Sequence, residues 1–249
     1  MFRRDAGIRL KLQGESIAAK LLPWGRSYAI PKRLESSHIM LMGDTGAGKS
    51  STIRQILRQV KERNEAAIVY DPAMDFVGEF YSPERGDLIL NPLDARCPYW
   101  SLPDEMVGPE IATAIAAAML PEKEYEKPYF TDGPRRVLAH LLRRKPHVRD
   151  LLQWMSDPEE IAVRVKGTPW AAYLDPGAPA QRAGILSSMN MVADSLELLP
   201  QYAEPNDPSF ATSSWISNRK RWGVPDSSSG YREKLLPLHS VWLDLLSCA

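Results

Sequence analysis

Gly43-Asp44-Thr45-Gly46-Ala47-Gly48-Lys49-Ser50 sets glycines, a lysine and a hydroxyl in the spacing G-x-x-x-x-G-K-S. Each residue type has a use in that order. Gly43, Gly46 and Gly48 permit backbone angles that a side chain forbids, so successive N–H groups can turn inward around a β-phosphate at a helix start. Lys49 then reaches the β- and γ-phosphates of a nucleoside triphosphate. The Ser50 hydroxyl serves Mg²⁺, and Ser51 stands close to the α-phosphate. A glycine-rich turn beside a helix cap is the plain alternative, and the Lys-Ser pair argues against it.

Hydrolysis requires more than binding: a second acid for the magnesium shell and a base to activate water. Asp71, at the end of Ala66-Ala67-Ile68-Val69-Tyr70, stands where such an acid would, but Pro72 and not a second acid follows it. Three readings stay open for Asp71: a magnesium ligand, a cap on the following turn through its carboxylate, or an indirect lining of the pocket. Asp75 and Glu79, among Phe76, Val77 and Phe80, read as the solvated face of a short helix. Asp244 in Trp242-Leu243-Asp244-Leu245-Leu246 reads as a helix-surface carboxylate. No other segment runs four or more apolar residues into Asp-Glu.

The elements that would position these residues follow from periodicity. Runs at Gly7–Leu12 and Ser27–Ile30 predict strands, and His38-Ile39-Met40-Leu41-Met42 predicts a strand feeding the glycine loop. After Lys49, the apolar positions Ile53, Ile56, Leu57 and Val60 recur at helical spacing, with Arg54, Arg58, Lys61 and Arg63 opposite. The run ending at Asp71 predicts a buried parallel strand, which makes a strand-loop-helix-strand unit. Gly86–Leu90 predicts another strand, and Cys97–Trp100 an irregular stretch. From Pro103 the character changes: Glu105–Leu120, Pro134–Arg144, His147–Met155, Pro158–Val165 and Pro179–Leu199 all predict helices. Trp215-Ile216 is expected to resume the sheet, and Gly230–Leu246 to form a last helix, with Pro237 as a kink or near its first turn. The expected division is a nucleotide-binding core over residues 1–102, an all-helical insert over 103–205 and a return to an incomplete core over 206–249.

Composition narrows the classes. Equal numbers of basic and acidic residues, 31 each, leave the whole chain no electrostatic reason to coat nucleic acid or an anionic membrane, so such contacts must be local. Two basic clusters qualify: Arg135, Arg136, Arg143, Arg144, Lys145, His147 and Arg149, and Arg219-Lys220-Arg221 between Trp215 and Trp222. Either can touch phosphates or stack bases, against the plainer reading of a solvated face. The longest apolar run, Ile111–Leu120, is too short to span a bilayer, and Met1-Phe2-Arg3-Arg4-Asp5 has no apolar stretch behind it, which predicts a cytoplasmic location. Cys97 and Cys248 read as free thiols, and His38, His140, His147 and His239 are scattered without metal-ligand spacing. A kinase or GTPase reading lacks a guanine-reading N-K-x-D motif.

Several blocks taken together resemble the type IV secretion coupling proteins of the TraD/TraG kind. They are Arg33-Leu34-Glu35-Ser36-Ser37-His38 before the loop, Ile68-Val69-Tyr70-Asp71-Pro72, Leu90-Asn91-Pro92-Leu93-Asp94-Ala95-Arg96, Trp100, Tyr231–Leu238 and Trp242-Leu243-Asp244. The likeness runs from about Leu34 to Asp244. It implies an α/β fold, a RecA-like P-loop NTPase core with a parallel sheet and an inserted all-α subdomain. It further implies a motor that uses ATP and Mg²⁺ to move DNA, single-stranded and without sequence preference, as a homo-hexamer at the cytoplasmic face of the inner membrane. Relaxase and secretion-channel proteins are the partners it implies. In the family, transmembrane helices precede this region and the Walker B acids lie beyond a point corresponding to Ala249, so the sequence reads as a fragment. The rival expectation is a nucleotide-binding remnant that does not hydrolyse.

Overall fold

The computed structural model describes residues 7–11, 27–122, 128–202, 209–216, 221–225 and 231–247. Arg219, Lys220 and Cys248 lie outside them. The chain divides into two compact units, residues 1–67 with 76–81 and residues 68–75 with 82–249.

In the first unit, β1 (Arg9–Lys11) pairs antiparallel with β2 (Ser27–Ala29), Leu10 opposite Tyr28. Helix α1 (Lys49–Glu62) packs against β1 and against the short α2 (Val77–Phe80). Its apolar stripe faces inward, Leu57 buried and Ile53, Ile56 and Val60 half-buried. The basic side is tied down rather than merely solvated. Glu79 takes Arg54 at 3.3 Å and Arg58 at 2.6 Å, Arg54 also stacks on Phe76, and Lys61 lies over Phe80. Glu79 is thus exposed, as expected of it, but engaged.

The predicted strand at His38–Met42 does not form. The segment takes no regular structure and has no ladder pairing, and Met40 and Met42 are each 82% exposed. A strand exists only where its N–H and C=O groups meet another strand's, and among the described residues none meets this one. Hydrophobic pattern alone cannot supply that partner.

A three-stranded sheet, all but Ala67 of it in the second unit, runs in the order β3 (Ala67–Ile68), β7 (Trp222–Pro225), β4 (Leu88–Leu90). β4 and β7 run parallel, Ile89 opposite Val224. Beyond β3 the ladder continues, Val69 N–H to Gly223 O at 2.9 Å and Asp71 N–H to Pro225 O at 3.1 Å. The expected return to the sheet at Trp215-Ile216 is displaced: those residues belong to α9 (Thr212–Ile216), and the strand is Trp222–Pro225. Tyr99–Trp100, expected to be irregular, forms β5 in parallel with β6 (Ser209–Phe210).

Between β5 and β6 the described residues make helices and turns only: α3 (Leu102–Glu105), α4 (Pro109–Met119), α5 (Pro128–Leu142), α6 (Val148–Ser156), α7 (Pro158–Val165), a 3₁₀ segment (Pro169–Leu174) and α8 (Pro179–Leu196). Proline opens α4, α7 and α8, where its missing N–H has no partner to lose. Asp157 caps α7 by accepting the Glu159 N–H at 2.9 Å. Pro109 also explains why the helix expected from Glu105 is broken into α3 and α4, since it disfavours helical geometry at Gly108. The last helix, α10 (Arg232–Ser247), carries Pro237 inside it. Ile115, Leu138, Leu141, Met189, Val192, Leu235, Leu238 and Trp242 interlock from α4, α5, α8 and α10, and Leu90 and Trp100 join the same core. Trp100 meets Trp242 edge-on, ring centroids 6.0 Å apart. Among the described residues no helix is long and apolar enough to cross a membrane.

Candidate nucleotide-binding site and basic cavity

Gly43 to Ser51 form one loop that turns directly into α1. Ala47 N–H closes a turn on Asp44 O at 3.1 Å. Gly46 and Gly48 take φ of 83° and 89°, the left-handed region where a side chain strains the backbone. Gly48 is the helix cap: its carbonyl accepts the Thr52 N–H at 2.9 Å and the Thr52 hydroxyl at 3.1 Å. The N–H groups of Lys49, Ser50 and Ser51 begin the helix and so have no carbonyl one turn earlier to bond. No acidic side chain sits in that first turn to compete for them.

Lys49 Nζ donates to Gly43 O at 2.5 Å and to Asp44 O at 2.8 Å, which fixes a cation at the loop. Nothing lies within 4 Å of where a Cβ on Gly46 or Gly48 would stand, so the space beside both glycines is open. Free helix-start N–H groups, a fixed ammonium, an exposed Ser50 hydroxyl and open space suit a polyphosphate with its magnesium. These residues fit the group.

Asp71 belongs to the second unit and is 2% exposed. Its Oδ1 accepts the Asp75 N–H at 3.0 Å and its carbonyl accepts the Met74 N–H at 3.0 Å, so it caps the turn after β3. Asp244 is exposed on α10. Sequence reasoning missed one ion pair that buttresses the loop's helix. Arg63, just past α1, donates to both oxygens of Glu35 at 3.0 and 2.9 Å, and Glu35 Oε1 also accepts the Ile8 N–H at 2.9 Å. The Arg63 guanidinium holds the Glu35 carboxyl below its ordinary value, against the opposing effect of burial. Burial pushes the Cys97 thiol up to about 12, which leaves it unreactive.

The expected basic clusters are divided by the structure. Arg135, Arg136 and Arg143 line one open cavity with Trp170. Arg144 is turned away to the Arg164 carbonyl at 2.7 Å, Arg149 lies over the Tyr202 ring, and the His147 ring meets the Tyr99 hydroxyl at 3.0 Å. Trp215 and Trp222, which flank the second cluster and could have stacked bases, are core residues, 5% and 1% exposed. That correction follows from size: a tryptophan at a sheet or helix interior is worth more to packing than to solvent.

Known proteins resemble the chain in sequence and in fold. Coupling protein TraD of Escherichia coli (strain K12) is 26% identical over 225 residues, which are 85% of this chain and 31% of TraD. Unbound bacterial conjugative coupling protein TrwBdeltaN70 superposes with a TM-score of 0.75 at 20% identity over 88% of this chain. Plasmid coupling protein TrwB in complex with ADP and Mg²⁺ gives 0.73 at 22% identity, again over 88%. The complex of TrwB with a non-hydrolysable ATP analogue gives 0.70 at 21%. The fold is therefore the RecA-like nucleotide-binding fold, a parallel sheet with helices. The chain spans about a third of TraD and about half of the TrwB chains. A family model for the type IV secretion-system coupling protein DNA-binding domain matches residues 26–248, and with nearly the whole chain so matched, the chain belongs to that family.

Proposed function

We propose that this chain is the ATP-binding motor domain of a conjugative or type IV secretion coupling protein, using nucleotide with Mg²⁺ to drive DNA movement. The observation that carries the reading is the loop at α1: a left-handed glycine cap, helix-start N–H groups without an intrahelical partner and the Lys49 ammonium held on the Gly43 and Asp44 carbonyls. Gly43, Asp44, Thr45, Gly46, Ala47 and Gly48 wrap the phosphates, Lys49 exchanges its two carbonyl partners for phosphate oxygens, and Ser50 and Ser51 close the shell. Mg²⁺, when bound, neutralises charge on the outer phosphates, and Ser50 is the side chain that would hold it. Family membership and the nucleotide complexes of TrwB support the reading. Single-stranded DNA is the polymer that would be moved. A hexameric ring at the cytoplasmic face of the inner membrane, serving relaxase and channel proteins, is its setting.

A second reading is binding without turnover. It is favoured by Asp71, whose carboxylate is committed to the Asp75 N–H. The two separate in one assay, phosphate release from ATP with Mg²⁺, with and without single-stranded DNA. DNA-stimulated release makes the chain a working motor with Asp71 the first catalytic suspect, and Asp71→Asn should then abolish it. Binding without release leaves recognition as the activity and sinks the motor reading for this length of chain.

A further inference from the structure

Arg136 and Arg143 stand two turns apart on α5 and therefore on one side of it. With Thr113 and Ala117 of α4, and with Arg135, Asp132 and Trp170, they line an open cavity of about 360 Å³. The three arginines are not equivalent. Arg135 Nε donates to the Leu120 carbonyl at 2.6 Å and its Nη1 meets Glu122 at 3.1 Å, so its charge is already answered. Arg143 has the Thr113 hydroxyl at 3.2 Å, and Arg136 lies over the Trp170 ring, 5.3 Å from its centroid. Among the described residues no carboxylate forms an ion pair with either.

Stacking is what makes Arg136 informative. A guanidinium laid on an indole is oriented through its face and keeps its N–H bonds, all in plane, for an anion. Trp170 is held in turn against Tyr173, ring planes 12° apart. Asp132, the carboxylate of the lining, sits one turn before Arg136 on α5 and disfavours an anion at that end. The cationic end is the Arg136–Arg143 end. Other arginines of the helical region are spent: Arg164 on Glu160, and Arg182 on Glu159 at 2.5 Å.

We infer that this cavity holds a phosphodiester of a single-stranded DNA segment between Arg136 and Arg143, with a neighbouring base against the half-buried Trp170 ring where Arg136 and Tyr173 leave it open. The inference rests on the reading of DNA as the partner and assigns where it is gripped. A partly open aromatic ring beside two guanidinium groups favours a strand with unstacked bases over an acidic peptide, which offers charge but no ring.

The test is the anisotropy of a labelled oligothymidylate titrated with the full chain across a salt series. Arg136→Ala and Arg143→Ala should each weaken binding roughly tenfold, and together lower the salt slope by about 0.7, the amount for the one phosphate no longer neutralised. Trp170→Ala should weaken binding with the slope unchanged, and Lys166→Ala, an exposed cation elsewhere, should change neither. Arg136→Lys and Arg143→Lys keep the charge and guard against misfolding; they should restore the slope but not the full affinity. Wild-type binding that every cavity variant retains overturns the site and leaves DNA as partner. No binding by the wild-type chain overturns both. Tighter binding of a polyglutamate peptide through the same arginines makes the cavity a protein-facing one and overturns the assignment to DNA.

Discussion

Lys49 sits on two loop carbonyls and packs into no core, so its removal should be felt at the phosphates and not in the fold. Lys49→Ala is expected to lose nucleotide affinity with an unchanged circular dichroism melt. Unchanged affinity would exclude the loop as the nucleotide site. Gly48 answers to backbone geometry instead. With φ at 89° and open space around it, Gly48→Ala meets no clash but strains the backbone, at about 1–2 kcal/mol. A lowered denaturation midpoint measures that cost, and an unaltered one would mean the cap relaxes freely. The glycine loop was legible because its chemistry is contiguous in sequence. Trp170 beneath Arg136 and Glu35 beside Arg63 were not, because each pair joins segments distant in sequence. The two-turn spacing of Arg136 and Arg143 is the signal in the sequence that sets them apart from Arg144 and Arg149.

At the scale of elements, Glu35 links the Ile8 backbone to the end of α1 through Arg63, so it holds the helix that carries the loop. Its folded-state pKa is depressed. The stability it contributes is therefore fully present above its ordinary value of 4.5 and is lost as pH falls from there through the folded-state value. Glu35→Gln should cost about 1–2 kcal/mol near neutral pH and flatten that acid limb; an equally steep limb in the variant would place the titration elsewhere. Glu105 does comparable work in the helical unit. Buried, it accepts Trp100 Nε1 at 2.8 Å, the Thr212 N–H at 2.7 Å and the Thr212 hydroxyl at 2.5 Å, which ties α3 to β5 and α9. Glu105→Ala strands those donors in the core and should cost about 3 kcal/mol or more, read by urea denaturation. A loss under about 1 kcal/mol would mean water replaces the carboxylate. Helices α1, α6, α7, α8 and α10 were readable because their period, prolines and caps are local. β7 was not, since Trp222-Gly223-Val224-Pro225 carries turn-forming residues and becomes a strand only between partners far away in sequence. His38–Met42 shows the converse, strand composition with no ladder.

On the scale of the molecule, the two compact units carry different candidate sites, the loop in one and the basic cavity in the other. The helical unit owns the large core, whereas among the described residues of the first unit few side chains are buried, Ile8, Leu57, Val77 and Phe80 among them. Nucleotide should therefore stabilise the chain unevenly. At a hundredfold excess over Kd the linkage is worth about 2.7 kcal/mol, and hydrogen exchange should show new protection across Lys49–Glu62 with little change in Val148–Ser156. Uniform protection would mean the units respond as one. Membership in the coupling-protein family covers the span from residue 26 to 248, about a third of the length of TraD. The proposed motor activity of that span depends on the loop binding Mg²⁺-ATP, and equilibrium binding of labelled ATP to the wild-type and Lys49→Ala chains tests it most directly. Saturable, magnesium-dependent binding by the wild type and none by the variant is the predicted result. Equal binding by both, or none by either, would contradict it.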